Sequence, residues 1–109
     1  MMDKLVSIEC TGLGSIFLRN DTNFNYSLEY SHDGETWLPV QKYVSRRAPL
    51  QEQELTSGIL CDLIRKSKEG KIDGIDFLVS EDVRQCKLSV LNDKGQVEAS
   101  AEMAIEGEF

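Results

Sequence analysis

Hydrophobic and polar residues alternate along most of the chain, which predicts β-strands because successive side chains of a strand point to opposite faces. The first such run covers residues 4–10, in which Val6 and Ile8 share one face. A short apolar run over 15–20 follows, and the run over 24–30 alternates aromatic or aliphatic residues with polar ones. These segments predict three strands in the first part of the chain.

A hairpin is predicted where the third of these strands ends. Asp33-Gly34 lies between two alternating runs, and such a pair favours a two-residue type I′ turn, whose central residues both need positive φ. In that register Tyr30 lies directly opposite Trp37 as an aromatic cross-strand pair. Pro39 has no N–H to donate to a neighbour, so the returning strand is expected at a sheet edge.

The period changes after residues 45–50, and the new pattern predicts a helix. Apolar residues then recur at every fourth position: Leu55, Ile59 and Leu63. This spacing is typical of an amphipathic helix, here over 52–68. Gly70 stands where a helix commonly ends in the left-handed conformation. A later start is the alternative, because Thr56 or Ser57 would cap the helix well.

Three further strands are predicted after the helix, over 74–80, 86–92 and 96–106. Side-chain parity fixes the register of the last two, because a slip of one residue would bury a lysine. Asn92 then lies opposite Val97, and the apolar faces meet through three pairs: Cys86 with Met103, Leu88 with Ala101, and Val90 with Ala99. On the other face Lys87 meets Glu102 as an exposed ion pair.

These elements predict an α+β fold formed by one domain over 1–109. It consists mainly of antiparallel β-sheet, with about seven strands in the order ββββ-α-βββ and one amphipathic helix packed on the apolar face. The small side chains of Ala99 and Ala101 are expected to let the helix approach the sheet closely. We see no internal repeat and no low-complexity segment in the sequence.

The charge of the chain narrows the choice of partners. The formal net charge is −7, and residues 50–109 carry most of the acidic excess. An acidic surface repels phosphate backbones, which disfavours nucleic acid as a partner. A basic protein is a better match, although acidity also simply keeps proteins in solution.

The three cysteines, Cys10, Cys61 and Cys86, are odd in number and widely spaced. Each falls on a predicted apolar face, where a free thiol behaves as a small hydrophobic group. This usage indicates a reducing compartment, and we expect a cytoplasmic protein. The N-terminal segment has no continuous apolar stretch typical of a signal peptide, and no run is long enough to span a membrane.

No catalytic, cofactor-binding or metal-binding residues are predicted. His32 is the single histidine, and we expect it to be solvated at the hairpin tip, with no nucleophile or orienting group nearby. The cysteines lack the close spacing of zinc ligands. Residues 44–53 are predicted to form a mobile loop, in which Arg46 and Arg47 would be able to grip a carboxylate or phosphate.

The tract Ser31–Trp37 resembles the Asp-Gly-x-Thr-Trp hairpins of extracellular β-sandwich modules, including discoidin-type and fibronectin type III domains. It is also similar to the Asp-box of sialidase-like propellers, but is one residue shorter between Asp33 and Trp37. The resemblance covers seven residues, and the predicted helix departs from both families. It therefore implies a hairpin here, and no family function is transferred to this chain.

The last predicted strand carries a row of carboxylates. Glu98, Glu102 and Glu106 project from one side, with Ser100 and Ala104 between them. At ~3.4 Å per residue, successive glutamates of the row lie roughly 13–14 Å apart. Such a row is suited to docking on a basic groove, and a solvated sheet face is the alternative.

Two classes of function follow from these patterns. In the first, the chain is a non-enzymatic, acidic protein-binding module, an inhibitor or immunity-type protein that blocks a basic partner such as a nuclease or toxin. In the second, it binds a small molecule or carbohydrate through Tyr30 and Trp37, because aromatic side chains are favoured anchors. A subunit of a larger assembly is a further alternative, and the sequence leaves monomer and homodimer open.

Overall fold

The computed structural model describes residues 3–9, 25–45 and 51–105, and its elements confirm the predicted α+β class. Its eight strands, one more than predicted, and its helix are β1 Asp3–Glu9, β2 Asn25–Ser31, β3 Leu38–Pro39, β4 Lys42–Ser45, β5 Gln51–Glu54, α1 Ser57–Lys68, β6 Gly74–Ser80, β7 Gln85–Leu91 and β8 Val97–Ala104. The strands form two antiparallel sheets, ordered β1-β6-β4-β5 and β3-β2-β7-β8. The strand predicted over 15–20 lies outside the described residues.

The first sheet is organised by the pairing of β1 with β6 along their whole length. Ile8 lies opposite Ile75 and Val6 opposite Phe77, so alternate residues of both strands face the core. The strands come unusually close at Gly74, where an added Cβ would lie 2.3 Å from the carbonyl oxygen of Ile8. Only glycine therefore fits this end of the pair.

Strands β4 and β5 correct the prediction for residues 44–53. They pair with each other in antiparallel fashion, with Val44 opposite Glu52, where a mobile loop and the start of a helix were expected. The predicted loop and early helix start are therefore wrong for the described part of this segment, while Arg46 and Arg47 lie outside it. All four residues of β5 are polar and exposed, so its sequence lacks the alternation that identifies a strand.

The helix begins at Ser57 and not at residue 52, because Thr56 caps it: the Thr56 hydroxyl accepts the N–H of Ile59 at 3.2 Å. Its end confirms the prediction for Gly70, which has φ +74°. The N–H of Lys71 donates to the carbonyl of Lys66 at 2.9 Å. This is the Schellman arrangement, which satisfies the last carbonyls of a helix.

The helix packs mainly against β2, which β7 separates from β8 in the second sheet. The Lys68 ammonium donates to the Tyr26 hydroxyl at 3.4 Å, and Leu60 and Ile64 are buried in the interface. The expectation that Ala99 and Ala101 bring the helix close is therefore wrong, because the helix lies over a different strand. Those alanines remain half-buried against the core.

One hydrophobic core joins the two sheets and the helix. The predicted apolar faces of β6 and β7 are confirmed as buried: Ile75, Phe77, Val79, Cys86, Leu88 and Val90. Phe77 and Val90 have no exposed surface, which places them at the centre of the packing. Burying such side chains contributes about 1.5–3 kcal/mol each.

The predicted register of β7 and β8 is confirmed through Cys86–Met103, Leu88–Ala101 and Val90–Ala99. An irregularity between Val90 and Leu91 then shifts the register, so that Leu91 lies opposite Val97. The expected pairing of Asn92 with Val97 is therefore wrong. Val97 is 61% exposed and does not join the apolar face of β8.

Candidate protein-binding face

The connection between β2 and β3 is wider than the two-residue turn that the sequence predicted. Tyr30 lies opposite Leu38, so the predicted pairing of Tyr30 with Trp37 is wrong by one residue. Gly34 has φ +83°, but Asp33 does not have positive φ, and a type I′ turn needs both. The strand β3 is the outermost strand of its sheet, as Pro39 predicted.

Two polar side chains account for the wider loop. The Asp33 carboxylate accepts the N–H groups of Glu35 at 2.8 Å and Thr36 at 2.9 Å. The buried Ser31 hydroxyl accepts the N–H of Gly34 at 2.8 Å. Side chains thus satisfy the backbone donors that a tighter hairpin would pair across the strands.

The same contacts act on the ionisation of Asp33. The N–H of Thr36 is the main cause that lowers the pKa of this carboxyl below its ordinary 3.8, followed by the N–H of Glu35 and the Ser31 hydroxyl. Donors that point at a carboxylate stabilise its charged form. The loop that presents Trp37 is therefore held by an ionised aspartate.

Tyr30 and Trp37 lie on opposite sides of the second sheet. Tyr30 packs against the core and meets the His32 ring edge-on, with the centroids 5.9 Å apart. Trp37 instead lies on the outer side, where the ammonium of Lys87 sits 4.2 Å from the centroid of its ring. The structure therefore does not bring the two predicted aromatic residues together into one stacking platform.

Lys87 is the centre of a charged row across the outer side of the second sheet. The residue lies opposite Glu29 on β2 and opposite Glu102 on β8, so a cation stands between two carboxylate-bearing positions. The expected register with Glu102 is confirmed, but the expected ion pair is absent among the described residues, because the ammonium lies over Trp37. A cation on an indole face gains about 0.5–2 kcal/mol.

The exposed side of β8 carries the described members of the predicted glutamate row. Glu98 and Glu102 are both exposed, with Ser100 between them. The Asn92 amide donates to the Glu98 carboxylate at 3.0 Å and so steadies one of the two. Glu106 lies outside the described residues. The two described carboxylates of the row are thus exposed on β8 as predicted.

We call the outer side of the second sheet the Trp37 face, which comprises Trp37, Glu29, Lys87, Glu98, Ser100 and Glu102. It combines an indole presented by the β2–β3 loop with one cation and three carboxylates on β2, β7 and β8. This chemistry suits a basic, partly aromatic or aliphatic protein surface, because aromatic anchors surrounded by charge are common at protein interfaces.

His32 is not simply solvated. Its Nδ1 lies 3.2 Å from a carboxylate oxygen of Asp82, in the turn between β6 and β7, and both side chains remain substantially exposed. The N–H of Arg84 also donates to the carbonyl of Ser31 at 3.3 Å. These contacts tie the two turns together, and they make His32 a structural contact of the loop.

The thiol of Cys86 is buried, and its burial raises its pKa to about 11. Cys61 is half-buried, and its thiol lies 4.0 Å from the side-chain oxygen of Asn25. Over residues 3–9, 25–45 and 51–105, no three side chains of the metal-ligating types gather into one site. The helix in this part of the chain lacks the length and apolar character needed to cross a membrane.

An open groove of about 590 Å³ lies between the β3–β4 connection and β5. Its walls carry Lys42, Glu52 and Glu54 among polar and aliphatic neighbours. Lys42 and Glu52 form a wide ion pair at 3.8 Å, with both side chains more than half exposed. The groove is open to solvent, and its two carboxylates outnumber its one cation.

Comparison of the chain with protein-family models, with curated proteins and with solved structures gives no match.

Sequence reasoning missed Glu29 and Lys87 as members of the site. The pairing of β7 with β8 placed Lys87 beside Glu102, but the pairing of β2 with β7 joins segments far apart in sequence. No local pattern reports such a pairing. The alternating pattern of both strands did predict that Glu29 and Lys87 face outward, but not that they lie opposite each other.

Proposed function

We propose that this chain is a non-enzymatic, acidic protein-binding module that blocks a basic partner, in the manner of an inhibitor or immunity protein against a nuclease or toxin. The observation that carries the proposal is the exposed carboxylate pair Glu98 and Glu102 on β8, beside the Trp37–Lys87 stack. The net charge of −7 supports it, because complementary fields accelerate encounter with a cationic partner. A cytoplasmic site of action belongs to the same proposal, since Cys61 and Cys86 are free.

The alternative of a carbohydrate or small-molecule site on Tyr30 and Trp37 receives less support. The two rings lie on different sides of the sheet, and the indole already carries a lysine ammonium. A stacking site for a sugar would need an aromatic face that is open to the ligand. The protein-binding proposal uses the charges of this surface as well as its indole.

The test begins with the immobilised protein and a lysate of the source cells, eluted with a rising salt concentration. Retained basic proteins are then purified, and their affinity is measured by calorimetry for the wild type, for Glu98→Gln/Glu102→Gln, and for the control Glu52→Gln/Glu54→Gln. The control removes the same charge from β5, another exposed edge strand.

We expect the β8 variant to bind the basic partner about tenfold more weakly or worse, because each close charge pair at an interface contributes on the order of 1 kcal/mol or more. The control should bind almost as well as the wild type, and stoichiometric addition of the wild type should inhibit the partner's activity. Equal affinities for the wild type and the β8 variant would contradict the proposal.

A further inference from the structure

The outer edge of β8 has the features of a docking site for an extended chain. β8 is the longest of the described strands and is the last in the order of its sheet. None of its residues is buried, whereas four of the seven residues of β7 are buried. Within residues 3–9, 25–45 and 51–105, no further strand pairs with this edge.

The direction of the backbone groups on β8 follows from its pairing with β7. The N–H of Ile105 donates to the carbonyl of Arg84 at 2.7 Å, so it points toward β7. Backbone groups alternate in direction along a strand. The N–H and C=O groups of Ser100, Glu102 and Ala104 therefore point away from β7, toward the position of an additional strand.

The two sides of β8 specify the side chains that such a strand would need. On the inner side, Ala99, Ala101 and Met103 are half-buried and pack against the core, and the two alanines are small. Aliphatic side chains of an added strand would cover them and extend the core. On the outer side, Glu98 and Glu102 would lie beside lysine or arginine side chains of the same strand.

A second copy of this chain is a poor occupant of the edge. If two β8 strands paired antiparallel about Ser100, each Glu98 would lie opposite a Glu102 of the other copy. Like charges placed directly opposite destabilise a strand pair.

The other three edges offer less. β3 has two residues including Pro39, and β5 has no buried side. β1 has acidic residues only at its two ends, Asp3 and Glu9, with Lys4 beside the first, so it lacks the carboxylate row of β8.

We propose that β8 accepts an extended segment of another protein as an added strand, and that this segment alternates basic with aliphatic residues. The inference rests on the proposed function and specifies how the basic partner binds. Main-chain hydrogen bonds provide the affinity in such β-augmentation, and alternate side chains provide the specificity.

The probe is a blocked nine-residue peptide of alternating lysine and valine, titrated into the protein by calorimetry and by amide NMR shifts. The decisive variant is Ser100→Pro, which removes an outward N–H while leaving the ladder to β7 intact. Ser100→Ala is the matched control, because it changes the same side chain and keeps the N–H. The variant Glu98→Gln/Glu102→Gln tests the charges separately.

We expect Ser100→Pro to weaken peptide binding about tenfold or more relative to Ser100→Ala. Shifts of the wild type should concentrate on β8. A peptide N-methylated at alternate residues should also fail to bind the wild type, and this arm decides the question if Ser100→Pro lowers the thermal stability. Equal binding to Ser100→Pro and Ser100→Ala, or no binding at about 1 mM peptide, overturns the proposal.

The two proposals fail in different ways. Suppose Ser100→Pro binds the peptide normally but Glu98→Gln/Glu102→Gln does not. The acidic surface then binds basic partners without adding a strand, and only the present inference is wrong. If neither change alters the binding of basic partners, the proposed function falls with it.

Discussion

Single side chains determine how the β2–β3 loop presents Trp37. Ser31 has no exposed surface, and its hydroxyl accepts backbone N–H groups of Asp33 and Gly34. It also donates to the Asp33 carboxylate at 3.1 Å. One hydroxyl therefore serves three partners, and its removal leaves two backbone donors without their acceptor.

We expect Ser31→Ala to lower the free energy of unfolding by about 1–3 kcal/mol, the cost of buried donors that lose their partner. Urea denaturation followed by circular dichroism measures this change. Ser27→Ala, on the same side of β2, serves as the control and should cost less than about 0.5 kcal/mol. A cost for Ser31→Ala as small as that of the control would show that water replaces the hydroxyl.

The ionisation of Asp33 makes the loop sensitive to acid. Its pKa in the folded protein is lowered by the N–H of Thr36 first, then by Glu35 and Ser31. A lowered pKa contributes stability that is present above the ordinary value of 3.8 and is lost as the pH falls through the folded pKa. Neutral pH therefore favours the ordered loop.

A carbon-detected NMR titration of the Asp33 carboxyl should give a midpoint below 3.8. The amide proton of Thr36 should shift with the same midpoint, because its hydrogen bond weakens when the carboxylate is protonated. In Ser31→Ala the midpoint should rise, since one donor is lost. A wild-type midpoint at or above the ordinary value would contradict the observed hydrogen bonds.

At the scale of the elements, two glycines have opposite roles. Gly74 lies where β6 meets β1, and a Cβ there would collide with the backbone oxygen of Ile8 at 2.3 Å. Gly58 lies in the first turn of α1, where a Cβ would meet nothing within 4 Å. The first glycine is required by packing, and the second only weakens the helix.

Gly74→Ala should therefore destabilise the protein by about 2 kcal/mol or more, because the backbones of β1 and β6 must separate. Gly58→Ala should stabilise it by up to about 1 kcal/mol. Thermal unfolding of the two variants beside the wild type measures both signs at once. Tolerance of alanine at residue 74 would mean that the end of the β1–β6 pair is loose.

The elements also show how far the sequence determines the fold. Side-chain parity was sufficient for the β7–β8 register as far as Val90, because one face is apolar and a slip would bury Lys87, but it missed the irregularity beyond Val90. It failed for β5, whose four residues are all polar and exposed. The helix start was settled by the Thr56 cap and not by apolar periodicity, since Leu55 continues that period without being helical.

The candidate site was predictable to the same limited extent. Local alternation identified Glu98 and Glu102 as outward-facing residues. Local alternation gave the wrong cross-strand partner for Trp37. The hydrogen bonds of Ser31 and Asp33 widen the loop, and they depend on side-chain geometry that the alternation does not report. β2 and β7 are far apart in sequence, so only the structure showed that Glu29 and Lys87 lie opposite each other in the candidate site.

At the scale of the whole molecule, the exposed glutamates of β8 lie on a strand at the edge of its sheet. The chain carries a net charge of −7, and Glu98 and Glu102 stand on the exposed side of an edge strand. Charged side chains on an edge deter pairing with other copies. The carboxylates that we propose for partner binding thus also oppose self-association.

Glu98→Gln/Glu102→Gln should therefore self-associate more strongly than the wild type, and Glu52→Gln/Glu54→Gln should not. Sedimentation velocity over a range of protein concentrations measures the difference. Raised salt should move the wild type toward the behaviour of the β8 variant, because salt screens exposed charges. Equal self-association of the two variants would assign the effect to net charge alone.

The stack of Lys87 on Trp37 has a practical consequence. The chain has one tryptophan, and a cationic group lies 4.2 Å from its ring centre. Ultraviolet emission from the native protein therefore comes mainly from one indole, and the Lys87 ammonium contributes to the electric field at that ring. A basic partner that binds Glu102 brings a second cation next to Lys87, opposite Glu102, and so changes that field. Tryptophan fluorescence thus reports, without any label, whether a partner is bound to the Trp37 face.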